Sequence, residues 1–236
     1  MVAIIGAMDE EIAELLQGME AVDVRRAGPV EARVGRMDGR PVAVLKSGVG
    51  KVNAALAVQA VIDHLRPQAL LFLGVAGALD PALEIGDLVV AEDALQHDVD
   101  ATPLGFRPGE IPFEPVSVFP ADPRLIRRAM TAAEALFGRR PAVGRVLSGD
   151  RFVADREMVK ALRERFGGLC VEMEGAAAAQ VAHKNGVPFL LIRTISDRAD
   201  GAAPADFPAF LKEAAGRSAA LARAIVRSAE EFEHAF

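Results

Sequence analysis

Short runs that are apolar at every position, separated by stretches of helical period, set the tightest limit on what this chain can fold into. Val2–Ile5 and Ala69–Leu73 are apolar throughout, and Pro188–Ile195 is so as far as Ile192. A strand of that kind needs cover on both faces, which is the situation inside a mostly parallel sheet. Further strands are expected at Asp87–Ala91, Val143–Leu147 and Leu169–Val171. Between them, helical patterns fall over Glu10–Met19 with Asp9 as N-cap, Val52–Leu65, Pro123–Phe137, Asp155–Phe166, Ala176–Lys184 and Phe207–Phe232. Glu31–Met37 alternates, turns at Asp38-Gly39 and returns over Pro41–Lys46, which reads as a hairpin and makes the sheet mixed. The expected fold class is α/β: one three-layer domain over residues 1–236, a central mixed β-sheet flanked by helices.

Composition narrows the partners. A formal net charge of -6 argues against nucleic acid or an anionic membrane surface. No apolar run approaches the length of a membrane span. The apolar start at Val2–Ile5 has no basic region before it and does not read as a secretory leader. Cys170 is the single cysteine, so no internal disulfide can form, and it lies in an apolar strand where a small core residue is expected. A cytoplasmic location is the expectation. With no Trp and no Tyr in the chain, an aromatic ligand has to meet Phe, Met or aliphatic side chains.

Two acidic stretches stand where apolar strands run out: Val171-Glu172-Met173-Glu174-Gly175 and Arg193-Thr194-Ile195-Ser196-Asp197. Open α/β sheets bind ligands at the carboxyl ends of their strands, and carboxylates are costly to bury there without a role. If the first stretch is extended, Glu172 and Glu174 face one side, and a charged acceptor suits the paired hydroxyls of a ribose. Alternatives stay open: Glu174 as a cap for the following helix, and Arg193 with Asp197 as a plain ion pair. Two glycine segments, Ser47-Gly48-Val49-Gly50-Lys51 and Gly74-Val75-Ala76-Gly77, read as turns at strand ends that would floor a cleft with backbone. Neither is a dinucleotide or P-loop fingerprint. Asp9-Glu10-Glu11 reads first as acid complementing a helix dipole, although Glu11 follows the first strand directly. His97-Asp98-Val99-Asp100 has the look of a metal cluster, but His64, His183 and His234 sit in helical patterns and share no geometry with it, so no metal is expected. The segment from Asp98 to Pro120, with prolines at 103, 108, 112, 115 and 120, is the longest without periodicity, and such loops usually serve function.

Taken together, Ile4-Ile5-Gly6-Ala7-Met8-Asp9-Glu10-Glu11, Ser47 to Ala55, Ser148-Gly149-Asp150-Arg151-Phe152, Val171 to Glu174 and Ile195-Ser196-Asp197 resemble the bacterial 5′-methylthioadenosine/S-adenosylhomocysteine nucleosidases, relatives of the purine nucleoside and uridine phosphorylases. The resemblance runs from Met1 to about Ala215. It implies a single α/β domain, a homodimer, and cleavage of adenine from a 5′-thio-substituted adenosine without metal or organic cofactor. It further implies that Glu11 activates water and that Asp197, beside Ser196, protonates adenine N7. Glu174 and Met173 would hold the ribose, Arg193 would lie near the attacking water, and Phe152 would stack on adenine while the Val153 backbone reads its edge. Ala76 and Gly77 would lie against the substrate with Glu172. Met8, Val49 and Phe207 would line the alkylthio pocket, and Leu104 and Pro112 would reach into the partner subunit's site. Val75 stands where several of these enzymes carry Ser, and Ala78 replaces a frequent Gly.

The implied chemistry is coherent. Adenine leaves poorly as an anion, so a proton on N7 must accompany bond cleavage, and burial favours a protonated carboxylic acid. Water then attacks the opposite face of an oxocarbenium-like sugar, an arrangement similar to inverting glycosidases. Two other activities remain open on the same scaffold, a phosphate-dependent phosphorylase and a nucleosidase of 5′-deoxyadenosine or aminofutalosine, and so does a non-catalytic relative such as a storage protein.

Overall fold

The structure, a computed structural model, describes residues 1–199 and 203–228. Its strands are β1 Val2–Gly6, β2 Glu20–Ala27, β3 Val30–Met37, β4 Arg40–Lys46, β5 Ala69–Ala78, β6 Leu88–Gln96, β7 Val118–Pro120, β8 Ala142–Ser148, β9 Cys170–Glu172 and β10 Phe189–Asp197. Its helices are α1 Asp9–Gln17, α2 Lys51–Leu65, α3 Pro123–Phe137, α4 Arg156–Phe166, α5 Gly175–Lys184 and α6 Ala203–Arg227. One mixed sheet carries all the strands. β1 lies parallel between β4 and β5, with β3 and β2 following antiparallel outside β4. Beyond β5 the sheet curls into a ring: β5 pairs with both β10 and β9, and β10, β6, β8 and β9 complete the circuit.

Side-chain alternation along β1 shows how the layers form. Ala3 and Ile5 pack on one face with Ala54, Ala57 and Val58 of α2 and Ala176 of α5. Val2 and Ile4 pack on the other with Ile12 and Leu15 of α1, Leu125 of α3 and Leu221 of α6. Strands that are apolar throughout thus supply two cores, which is why no polar alternation survives in their sequence. Small side chains let α5 lie close to the sheet: a Cβ on Gly175 would meet Leu191 of β10.

The structure corrects several expectations. The segment Gly74-Val75-Ala76-Gly77 is not a turn but the interior of β5, in register with Arg193, Thr194 and Ile195 of β10. The N-cap of α1 is Met8, not Asp9; the Glu11 side chain reaches back to the Met8 backbone instead. β2 has no counterpart in the sequence reading, because it is an edge strand exposed along nearly its whole length, and its two valines, Val22 and Val24, stand among charged residues. β6 runs on to Gln96, and the proline-rich segment contains β7 and a 3-10 turn at Thr102–Leu104. The last helix starts at Ala203, before Phe207, and the expected end at residues 229–232 lies outside the described residues.

Candidate active site

A cavity of about 260 Å³ opens where β1, β5, β8, β9 and β10 end. Its floor is acid: Glu11, Glu174 and Asp197 are 4%, 6% and 2% exposed and line the same space. Each is placed by a different element.

Glu11 sits in the first turn of α1 and points inward. One carboxylate oxygen accepts from Ala7 N at 2.6 Å and Met8 N at 3.0 Å, the other from Val75 N at 3.1 Å. Burial raises its pKa, against the opposing pull of Arg193 and these three backbone donors. The approach depends on a glycine. A Cβ on Gly74 would collide with the Glu11 carboxylate.

Asp197 ends β10, where its carboxylate accepts from Ser196 Oγ at 2.8 Å and Ala199 N at 2.8 Å. Here too a glycine clears the way, since a Cβ on Gly77 would stand 2.9 Å from Asp197 Oδ1. Glu174 opens α5, yet its side chain does not cap that helix. It accepts from Gly50 N at 2.7 Å, across the turn between β4 and α2. Gly48 and Gly50 have φ of +87° and +95°, a conformation that favours glycine. Burial and the neighbouring Glu172 raise the Glu174 pKa to about 8.

Glu172 takes the cap that Glu174 leaves. Its two oxygens accept from Gly175 N at 3.0 and 2.8 Å and from Glu174 N at 3.2 Å. The same carboxylate bonds Ser148 Oγ and forms an ion pair with Arg193. Glu172 lies in the cavity wall, but its bonding is directed into the protein. Arg193 pairs with Glu172 rather than with Asp197 as an ion pair would have required. It is 1% exposed, donates to Phe72 O at 3.4 Å and Ile192 O at 3.1 Å, stands over the Phe72 ring and does not line the cavity. Its charge holds buried Glu11, Glu172 and Glu174 together from behind, a cation being the usual requirement for buried carboxylates.

Apolar walls complete the space. Val75, Ala76 and Gly77 of β5 form one side with Val171 and Met173. Phe152 and Phe207 meet edge to face at 5.8 Å, and Val153, Met8 and Val49 share the lining with them. Leu104 and Pro112 do not line this cavity; Leu104 is 73% exposed on the segment between β6 and β7. Asp98 bonds Lys51 Nζ at 2.6 Å and Asp150 N at 2.9 Å, so the His97–Asp100 cluster braces the α2 turn. Sequence reasoning missed Ser148, whose hydroxyl links Glu172 to Ala176 N, and Arg151, a cation in the cavity lining. Ser148 stands in the quoted Ser148–Phe152 motif, which was its one signal.

A mixed sheet that gathers carboxylates at its strand ends around an apolar cleft defines the class, and the family model of the phosphorylase superfamily matches residues 1–227. A protein of Geobacillus kaustophilus (strain HTA426) named 5′-methylthioadenosine/S-adenosylhomocysteine nucleosidase is 42% identical over 220 residues, 93% of each chain. The protein of that name from Halalkalibacterium halodurans is 41% identical over 226 residues, 95% of this chain and 97% of that one. A crystal structure of the Neisseria meningitidis nucleosidase in complex with methylthio-immucillin-A superposes with a TM-score of 0.92 at 40% identity, covering 96% of this chain and 98% of that one. Futalosine hydrolase of Helicobacter pylori also superposes, with a TM-score of 0.91 at 35% identity over 95% of this chain and 96% of that one. The chain belongs to the 5′-methylthioadenosine/S-adenosylhomocysteine nucleosidase family of that superfamily.

Proposed function

We propose that the protein hydrolyses the N-glycosidic bond of 5′-methylthioadenosine and S-adenosylhomocysteine, releasing adenine and the 5-thio-substituted ribose. One observation carries this reading: three buried carboxylates, Glu11, Glu174 and Asp197, line a single apolar cavity. Asp197, oriented by Ser196 and the Ala199 amide, is the acid that delivers a proton to adenine N7. Glu11, oriented by three backbone amides, takes the proton of the attacking water. Its raised pKa suits a base that works near neutrality. Glu174 accepts from the ribose hydroxyls, and Phe152 covers the purine. Neither a metal nor an organic cofactor has a step in this scheme. A homodimer in the cytoplasm belongs to the same reading, supported by the exposed apolar residues Val52, Leu104 and Phe113 and by the lone cysteine. Leu104 and Pro112 would then complete the partner's pocket.

Asp197→Asn is the clean test. Asparagine can donate to Ser196 Oγ and still accept from Ala199 N, so the local bonding survives. Adenine release should fall by about 10²–10⁴-fold, while the melting temperature stays near that of the wild type. Wild-type turnover by Asp197→Asn would refute the assignment. Glu11→Gln is less clean, because both Glu11 oxygens face N–H donors and an amide would set donor against donor. Adenine release in phosphate-free buffer separates hydrolysis from phosphorolysis. The likeness to futalosine hydrolase supports a second reading with the same core chemistry and another 5′ group. Turnover of aminofutalosine beside methylthioadenosine decides it.

A further inference from the structure

The cavity has a charge asymmetry that the proposed chemistry does not use. Among the described residues, four carboxylates line it (Glu11, Glu172, Glu174 and Asp197) and one cation, Arg151. The carboxylates are all buried, whereas Arg151 is exposed. It lies with Val49 and Phe152, 47% and 46% exposed, at the open end of the space. The residues on both sides of Arg151 are fastened. Asp150 N donates to Asp98 Oδ2 at 2.9 Å, and Asp150 Oδ1 accepts from Lys51 N at 2.8 Å at the start of α2. On the other side Phe152 is held against Phe207. The residue that carries the guanidinium is therefore fixed at the mouth.

We infer that Arg151 is a specificity-determining residue: it pairs with a carboxylate carried at the far end of the 5′ substituent. This inference rests on the nucleosidase reading. If the purine lies at Asp197 and the sugar at Glu11 and Glu174, base and sugar occupy the floor, and the 5′ substituent leads toward the exposed end. A methylthio group is neutral and needs only the apolar wall there. A homocysteine tail carries a carboxylate beside its ammonium, and a floor lined by acidic side chains offers that anion no partner. Arg193, the compensating cation, sits behind the wall and faces Glu172. Arg151 is the cation able to meet that carboxylate, and a planar guanidinium fork matches it with two parallel hydrogen bonds. A lysine there would supply charge without the fork.

The test compares S-adenosylhomocysteine with its carboxamide, which keeps the bulk and the ammonium and removes the negative charge. The readout is the ratio of kcat/KM for acid over amide, in the wild type and in Arg151→Gln. The ratio should fall about two- to fivefold in Arg151→Gln, a range suited to an exposed charge pair, with the change confined to KM. Arg151→Lys should fall between them, and rising ionic strength should erode the wild-type ratio toward that of Arg151→Gln. An unchanged ratio overturns the inference, and so does an equal loss on acid and amide, which would place Arg151 on the base or sugar. A wild type that releases adenine from neither methylthioadenosine nor S-adenosylhomocysteine fails at the earlier step, and the inference falls with the nucleosidase reading.

Discussion

Two glutamates two positions apart have opposite surroundings. Glu172 is compensated by Arg193, Ser148 and the α5 amides, while Glu174 accepts from Gly50 N and has a like charge beside it. The alternation about Met173 marked both as candidates, yet nothing in that pattern separates a strut from a ligand; the partner that separates them, Arg193, is on another strand. The difference is measurable through stability. Glu174 ionises at about 8 in the folded protein against an ordinary value of 4.5. Between those limits the folded state keeps a proton that the unfolded chain has lost. The stabilisation from this group is complete below pH 4.5 and is lost as pH rises toward 8, at a limiting slope of ~1.4 kcal/mol per pH unit. Denaturant midpoints of the wild type should therefore fall more steeply across that window than those of Glu174→Gln. Glu11, also raised, acts in the same direction but is common to both proteins. Parallel profiles would show that Glu174 is ionised in the folded state throughout.

At the level of elements, the site depends on how closely α1 approaches β5. Gly74→Ala should place a methyl group against the Glu11 carboxylate and 3.3 Å from Arg193 Nη1. We expect a loss of about 1–3 kcal/mol from overpacking, together with a drop in adenine release per folded molecule. Gly39→Ala is the control. It sits in the β3–β4 turn at φ +77° with no atom within 4 Å of the added carbon, so backbone strain of about 1–2 kcal/mol should lower stability while activity per folded molecule holds. Equal activity in the two variants would mean that Glu11 tolerates displacement. The same pair explains what the sequence could and could not show. Asp38-Gly39 lies between alternating runs and reads as a turn, correctly. Gly74 and Gly77 carry the same residue type for another reason, the close approach of side chains from α1 and β10, and the chain alone does not say what lies opposite. Glu11 was obscured likewise. Asp9, its neighbour in the triplet, is surface acid paired with Lys46 at 2.7 Å, and a carboxylate's direction is set by the strand beneath it.

For the molecule as a whole, the sheet with cover on both sides was legible because β1, β5 and β10 are buried along their whole length and read as apolar runs. The ring closure was not, since β5 meets β9 through Gly77 and Val171, nearly a hundred positions apart, and a three-residue strand leaves almost no periodicity. Assembly belongs to this scale too. Val52 of α2 is 76% exposed, with Leu56 at 44%, and the proline-rich segment contributes Leu104 at 73% and Phe113 at 92%. Large apolar side chains this exposed on neighbouring functional elements are a common mark of an interface. In the proposed dimer these surfaces are covered and the segment reaches the partner's cavity. Phe113→Glu should then set a desolvated charge in the contact, which costs several kcal/mol with no partner to neutralise it. Sedimentation equilibrium should show the wild type as two chains and Phe113→Glu as one. Adenine release should weaken in parallel, chiefly through KM, because the pocket loses the wall supplied by Leu104 and Pro112 while Glu11 and Asp197 stay in place. A wild type that sediments as one chain at full activity would remove the dimer from the mechanism, and the proline-rich segment would need another purpose.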